Sequence, residues 1–144
     1  MSATDWDHVV VEGRVRPATS TDSEYFWTGL KEHKLLIQRC AGCGAVRHPS
    51  TPMCPTCGSL EWAPVESSGN GAVHSYTVVH APYAPGFSQP SVVALIALDE
   101  GVRLVANIIG SPPDDLAIEM PVEVFFADQV EGWTVPQFRR RAGA

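Results

Sequence analysis

Apolar residues recur at helical spacing in an early segment of the chain, residues 20–35. Phe26 and Leu30 stand four positions apart, so a helix would place both side chains on one face. Thr21 and Glu24 have the spacing of a capping box, in which a hydroxyl at the helix start is followed three residues later by a carboxylate. The pattern therefore predicts a helix over residues 20–35.

After residue 67 the pattern becomes typical of β-strands. β-Branched and aromatic residues dominate the stretch 72–80, and the stretch 91–98 is almost entirely apolar. A turn at residues 99–101 joins this second stretch to a run over 102–109, and together they predict a hairpin. Two further short strands are predicted over residues 122–126 and 133–138.

All the cysteines of the chain lie in two Cys-x-x-Cys pairs, and a glycine follows each pair. Such spacing is typical of a zinc ribbon, in which two tight turns place four thiolates around one metal ion. A site closed by four thiolates has no open coordination position, so the motif indicates a structural metal and argues against metal catalysis. Zinc is the expected ion, and iron is the alternative because rubredoxin has similar knuckles. The predicted ligands are Cys40, Cys43, Cys54 and Cys57.

Four or five antiparallel strands in about 75 residues are enough for a small closed barrel, and closure removes exposed strand edges. The five-stranded OB barrel fits this length. The predicted fold class is therefore mainly β, with an N-terminal helix, a zinc ribbon and a five-stranded OB-fold barrel. The predicted segments are an arm over 1–19, the helix over 20–35, the ribbon over 36–66, the barrel over 67–140 and a tail over 141–144.

The composition narrows the class of protein further. The 144 residues carry a net charge of -6 with a pI near 5.2, whereas nucleic-acid-binding domains usually present a basic surface. All cysteines belong to the metal motif, which fits a reducing cytoplasm. The N-terminus lacks the apolar core of a signal peptide, and no apolar run has the ~18 residues that span a bilayer. We expect a soluble cytoplasmic protein that binds neither nucleic acid nor membrane.

No residue is predicted to be catalytic. The cysteines are committed to metal, and the histidines show none of the short spacings that place two ligands on one helix face. His74 and His80 lie six positions apart in or beside a predicted strand, so they share one face. They are either ordinary strand histidines or part of a substrate channel.

Several motifs resemble those of one family and occur in the same order. The first knuckle reads QRCAGCG over residues 38–44, and the second reads CPTCGS over 54–59. Strand and turn segments within 69–79, 98–104 and 120–139 follow. Together these segments resemble the family called domain of unknown function 35, or DUF35. The resemblance implies a rubredoxin-like zinc ribbon joined to an acyl-CoA-associated OB fold.

The resemblance also implies a partner enzyme. Family members bind thiolase-like enzymes that act on CoA thioesters, and similar domains pair with aldolases that cleave steroid side chains. It therefore implies a non-catalytic accessory subunit that binds a thiolase or aldolase and helps to form or shield its acyl-CoA channel. Because thiolase-like enzymes are usually dimers, the expected complex is a two-plus-two heterotetramer. Arg47 and His48 depart from the family pattern, which has an apolar or aromatic residue followed by prolines there.

Aromatic and arginine side chains are the candidates for contact with the partner or with acyl-CoA. The aromatic residues of the predicted helix serve either as core against the ribbon or as an interface. Those of the proline-rich segment 81–90 either cap the barrel or anchor a partner. The arginines have charges suited to the phosphates of CoA. The candidate contact residues are Tyr25, Phe26, Trp27, Tyr83, Phe87, Arg103 and Arg139.

Two other functions stay open from the sequence. A free-standing acyl-CoA-binding protein would bind acyl-CoA measurably with no partner present. A single-stranded nucleic-acid-binding OB protein would bind in a salt-dependent way, which the acidic composition disfavours.

Overall fold

The computed structural model describes residues 14–83, 85–87 and 89–142. Residues 1–13 of the predicted arm and 143–144 of the predicted tail lie outside this description. No helix in the described ranges is long and apolar enough to cross a membrane. The elements are α1 (Glu24–Lys31), β1 (Leu36–Cys40), β2 (Val46–Arg47), β3 (Trp62–Glu66), β4 (Asn70–Val79), β5 (Ser91–Leu98), β6 (Arg103–Ile108), a 3-10 turn (Pro113–Asp115), β7 (Pro121–Asp128) and β8 (Thr134–Arg140).

Helix α1 is shorter than the predicted helix over 20–35. Its N-cap is Ser23, which makes no side-chain capping bond, so the capping box predicted at Thr21 and Glu24 is wrong. Instead, the backbone N–H of Ser20 donates to Ser23 Oγ over 3.0 Å, and Glu24 N–H donates to the Ser20 carbonyl over 3.0 Å. The serine side chain thus stabilises a local turn and competes with an earlier start of the helix.

The end of α1 turns the chain directly into β1. His33 lies in the left-handed region with φ 58°, and the N–H groups of His33 and Lys34 donate to the carbonyls of Leu30 and Gly29 over 2.9 Å. A Cβ on Gly29 would lie 2.6 Å from a methyl carbon of Leu36. Glycine therefore lets the helix approach the first strand without a shift of the Leu36 side chain.

The ribbon sheet has the order β2-β1-β3, and both pairings are antiparallel. Its central strand carries Gln38, a polar side chain that is only 1% exposed. Gln38 Nε2 donates to the Thr51 carbonyl over 3.2 Å, and Gln38 Oε1 accepts from Thr51 N–H over 2.9 Å. A buried amide is thus satisfied by the backbone of one residue in the loop that leads to the second cysteine pair.

The remaining five strands form a closed barrel in the order β4-β5-β6-β8-β7, so the predicted five-stranded barrel is confirmed. All neighbours are antiparallel except β6 and β8, which run parallel where Ile108 pairs with Phe138. β5 has the predicted bounds, and the other four strands begin and end within two residues of the predicted ones. Local signals explain this agreement, because β5 is almost entirely apolar and turn residues at 99–101 separate it from β6.

One hydrophobic core joins the helix, the ribbon and the barrel. Leu30 of α1 and Ile37 of β1 belong to the same buried cluster as Ile96, Val122 and Phe138 of the barrel. Each of these five side chains is at most 1% exposed. Since burying one such side chain contributes about 1.5–3 kcal/mol, the ribbon and the barrel stabilise each other.

Glu100 connects the hairpin between β5 and β6 to the junction of ribbon and barrel. Ser67 Oγ donates to its Oε1 over 2.5 Å, and Ser68 N–H donates to its Oε2 over 3.0 Å. Burial alone would raise the pKa of Glu100, but these bonds favour the carboxylate and lower the pKa below its usual value. Glu100 lies in the turn, but it also holds the hairpin to the junction of ribbon and barrel.

We expect Glu100→Gln to lower the free energy of unfolding by about 1 kcal/mol at pH 7, the usual net value of such hydrogen bonds. Because the folded pKa is the lower one, the carboxylate stabilises the fold above the unfolded pKa of about 4.3. The difference in unfolding free energy between variant and wild type should shrink as the pH falls below the unfolded pKa and through the lower folded pKa. Urea unfolding from pH 3 to pH 7 measures this difference, and Asp99→Asn at the exposed neighbouring carboxyl is the control. Equal losses of stability in the two variants would contradict a stabilising role of the hydrogen bonds to Glu100.

Candidate metal centre and contact surface

The first cysteine pair forms a tight knuckle at the end of β1. Gly44 N–H donates to the Cys40 carbonyl over 2.9 Å, and Cys40 N–H donates to the Ala45 carbonyl over 2.8 Å. Gly44 has φ 78°, which glycine adopts at no steric cost. The knuckle therefore brings both sulfur atoms of Cys40 and Cys43 to one side of the turn.

The second pair repeats the same geometry. Gly58 N–H donates to the Cys54 carbonyl over 2.9 Å, Cys54 N–H donates to the Ser59 carbonyl over 2.9 Å, and Gly58 has φ 77°. Two equivalent knuckles that face each other are the arrangement of a zinc ribbon.

The four sulfur atoms form a compact cluster. All of them lie within 4.8 Å of one another. The Sγ atoms of Cys40 and Cys57 are 3.5 Å apart, and those of Cys43 and Cys54 are 3.7 Å apart. A tetrahedral zinc ion with zinc–sulfur bonds of about 2.3 Å requires sulfur atoms about 3.8 Å apart. The cluster therefore fits one structural metal ion held by all four predicted ligands.

The backbone around the sulfur atoms favours the thiolate form that binds metal. Cys43 N–H points at Cys40 Sγ over 3.5 Å, and this bond is the main cause that lowers the pKa of Cys40 to about 6. In the second knuckle, Cys57 N–H lowers the pKa of Cys54 in the same way. Thiolates are needed because the protonated thiol is a poor metal ligand. The metal would supply stability to the ribbon, since four thiolates leave no position for a substrate.

Tyr25 fastens the helix to the ribbon. Its hydroxyl lies 2.9 Å from Ser50 Oγ, and its ring lies 4.7 Å from the ring of Trp62 on β3. Burial raises the pKa of Tyr25 despite the bond with Ser50, which acts in the opposite direction. Of the two roles that the sequence leaves open for Tyr25, these contacts favour packing against the ribbon.

Phe26 and Trp27 have different environments although they are adjacent. Phe26 is 7% exposed and belongs to the hydrophobic core. Its ring lies 5.2 Å from that of Trp27 and 5.3 Å from that of His48. Trp27 is only half-buried and packs on the edge of the core. Trp27 is thus more available to a partner than Phe26.

A cleft of about 750 Å³ lies between α1, the loop at residues 48–50 and the outer faces of β5, β6 and β8. It brings together three of the predicted contact residues, Phe26, Trp27 and Arg103. Val105 lines the cleft and is 65% exposed, although it is a large apolar residue. The outward position of Val105 follows from strand alternation, but the sequence does not reveal that a cleft forms above it.

The other predicted contact residues lie outside this cleft. Tyr83 is 40% exposed in the loop after β4. Phe87 is half-buried under Arg14, whose guanidinium carbon lies 4.4 Å from the ring centre, and burial lowers the pKa of Arg14 to about 10. Arg139 Nε lies 3.3 Å from Glu123 Oε1, an exposed ion pair on β7 and β8. The seven candidates therefore do not form one continuous surface.

Two family profiles match the chain in the order of its two folded parts. The profile described as "ChsH2, rubredoxin-like zinc ribbon domain" matches residues 27–63. The profile described as "ChsH2, C-terminal OB-fold domain" matches residues 64–127. A "DUF35 domain-containing scaffold protein" of Methanocaldococcus jannaschii is 41% identical over 103 residues, which are 69% of this chain and 73% of that protein. The chain belongs to the DUF35 family.

Longer proteins contain a segment similar to this DUF35 chain. A "Probable enoyl-CoA hydratase alpha subunit" of Thermomonospora curvata is 46% identical over 126 residues, which are 88% of this chain and 40% of that protein. A "3-oxo-4,17-pregnadiene-20-carboxyl-CoA hydratase alpha subunit" of Mycobacterium tuberculosis is 42% identical over 122 residues, 85% of this chain and 39% of that protein. The DUF35 chain thus spans about two fifths of the length of these two relatives.

A solved structure entitled "Ltp2-ChsH2(DUF35) aldolase" contains a chain with the same fold. The TM-score is 0.84 and the sequence identity is 46%, and the match covers 87% of this DUF35 chain and 98% of that chain. The likeness therefore extends over nearly the whole of a DUF35 chain that takes part in an aldolase structure.

Proposed function

We propose that the protein is a non-catalytic, zinc-containing accessory subunit of a thiolase-like enzyme that acts on acyl-CoA thioesters. The observation that carries this proposal is the 46% identity over 98% of the DUF35 chain in the aldolase structure. Such an identity over nearly a whole chain supports a partner similar to that of the aldolase structure. The name of the Mycobacterium tuberculosis relative supports a steroid-derived acyl group as one substrate class.

The cleft supports a role in the substrate channel of the partner. Its volume of about 750 Å³ lies within the ~300–1,000 Å³ of small-ligand pockets. Trp27 and Val105 offer apolar surface, and Arg103 at the border suits a phosphate or carboxylate. In this proposal the partner covers the cleft, and the acyl group passes beside the cleft. The complex contains two copies of each chain and is cytoplasmic.

The partner to test is Ltp2, which is named beside ChsH2(DUF35) in the aldolase structure. Mixed with this chain, Ltp2 should elute as one species with the mass of two copies of each chain by light scattering. Val105→Asp should weaken the complex at least tenfold, because a carboxylate would be desolvated under the partner. Val130→Asp is the matched control, since Val130 is 81% exposed in the turn between β7 and β8, away from the cleft. If wild-type protein and Ltp2 elute separately, the proposed partner is wrong.

Calorimetric titration with acyl-CoA distinguishes the alternative function. The accessory subunit alone should show no saturable heat with a steroid acyl-CoA, whereas its complex with Ltp2 should bind. The volume of the cleft is the observation that keeps a free-standing acyl-CoA-binding protein as the second candidate. Saturable binding to the isolated chain, lost in Val105→Asp, would favour that second candidate.

A further inference from the structure

The outer half of β4 has a free edge among the described residues. β4 pairs with β5 along its length to Val79, but it pairs with β7 only over Asn70–Ala72. The last backbone bonds on that second side join Val73 N–H to the Met120 carbonyl and Glu119 N–H to the Val73 carbonyl. From Ser75 to Val79, the backbone groups on this side therefore have no described strand beside them.

This free edge is exposed and partly apolar. Residues 74–77 and Val79 are exposed, and so is the following stretch, residues 80–83. Tyr76 is 37% exposed and Val79 is 36% exposed. Free edges are normally protected by lysine, by proline or by a bulge that twists the strand away. Here a bulge occurs only at the inner end, between Val73 and Ser75, and no lysine lies on the edge.

The sequence around the edge is also free of charge. No Asp, Glu, Lys or Arg occurs between Glu66 and Asp99, although the chain as a whole is 18% charged. Interface cores are depleted in charged residues and enriched in tyrosine and phenylalanine, because a charge is costly to remove from water. An uncharged edge on a protein of net charge -6 is therefore suited to a partner segment that is itself uncharged.

We propose that the partner enzyme adds an extended, uncharged strand to the edge of β4 from Ser75 to Val79. This inference rests on the proposed function, and it assigns the surface through which the partner binds. Unpaired backbone groups specify an extended segment as the occupant, because only a strand can satisfy them in register. The edge adjoins the cleft, since Ser75 and Thr77 pair with Leu95 and Val93 of the cleft wall. A strand docked here extends the sheet beside the cleft.

A charged residue on the edge tests the proposal with Ltp2 as the probe. Val79→Lys should weaken binding of Ltp2 at least tenfold, because the ammonium group would be buried against an uncharged strand. Val130→Lys is the matched control and should change the affinity by less than twofold. Both variants should melt like the wild type, which excludes a folding defect. If Val79→Lys binds like the wild type, the edge is not the docking surface, although the proposed function stands.

Hydrogen exchange provides a second readout that does not depend on the substitution. Within Ser75–Val79, the backbone amides that point away from β5 should exchange at least tenfold more slowly in the complex than in the free protein, whereas those bonded to β5 are protected in both. If the amides that point away from β5 are already protected in the free monomer, another part of this chain covers the edge and the proposal is overturned. If the free protein is a dimer that Val79→Lys dissociates, a second copy is the occupant and the proposal is overturned too. Absence of any complex with wild-type protein would overturn the proposed function itself.

Discussion

Cys40→Ser should abolish the metal site and strongly destabilise the fold. Cys40 ends β1, the central strand of the ribbon, and its sulfur lies 3.5 Å from that of Cys57. Structural zinc contributes directly to folding energy, since the cluster of thiolates is not preformed in the unfolded chain. We expect a loss of at least about 4 kcal/mol, which corresponds to a decrease in Tm of about 10 °C or more at this chain length.

Metal analysis and thermal melting measure this effect. Wild-type protein should contain one zinc ion per chain, Cys40→Ser should contain none, and a chelator should lower the Tm of the wild type only. Thr56→Ser is the control, because Thr56 lies within the second knuckle, is exposed and is not a ligand. A Cys40→Ser variant that melts and binds its partner like the wild type would refute the structural role. Iron in place of zinc would give a coloured protein.

Leu30→Ala should destabilise the protein by about 2–5 kcal/mol. Leu30 is 0% exposed and belongs to the core that α1 and β1 share with the barrel. Its truncation removes apolar contacts and leaves a cavity where the helix meets the barrel, and both terms are unfavourable. Because ribbon and barrel are joined through this core, we expect one cooperative transition at lower urea concentration.

The matched control for this prediction is Leu60→Ala. Leu60 is 67% exposed in the ribbon, so the same chemical change should cost less than about 0.5 kcal/mol. Urea unfolding followed by circular dichroism and by tryptophan fluorescence compares the two variants. Separate transitions for the two probes would show that the ribbon and the barrel unfold independently, against the shared core.

Structural features that depend only on neighbours in sequence were predictable. A Cys-x-x-Cys-Gly knuckle is closed by bonds within a few residues, such as that from Gly44 N–H to the Cys40 carbonyl. The strands were predictable for a similar reason, because the apolar run of β5 ends at the turn residues 99–101. The start of α1 was not, because Ser20 and Ser23 satisfy each other locally and displace the capping box predicted at Thr21.

Contacts between distant segments were not predictable from any local pattern. The aromatic residues of α1 look equivalent in sequence, but Tyr25 binds Ser50 across the ribbon and Phe26 enters the core. Arg139 is paired with Glu123 on the neighbouring strand, a partner that depends on the register of β7 and β8. Each outcome follows from packing, which brings together residues that are far apart along the chain.

The sequence by itself determined the two Cys-x-x-Cys knuckles, the approximate positions of the barrel strands and the family, because short-range spacing and local composition encode them. Only the tertiary structure decided that Glu100 tethers the hairpin to residues 67 and 68, that a cleft opens between α1 and the barrel, and that β4 has a free edge among the described residues. These features depend on strand register and on the angle at which helix, ribbon and barrel pack. The strand register and the packing angle each depend on many residues at once, so no single motif encodes them.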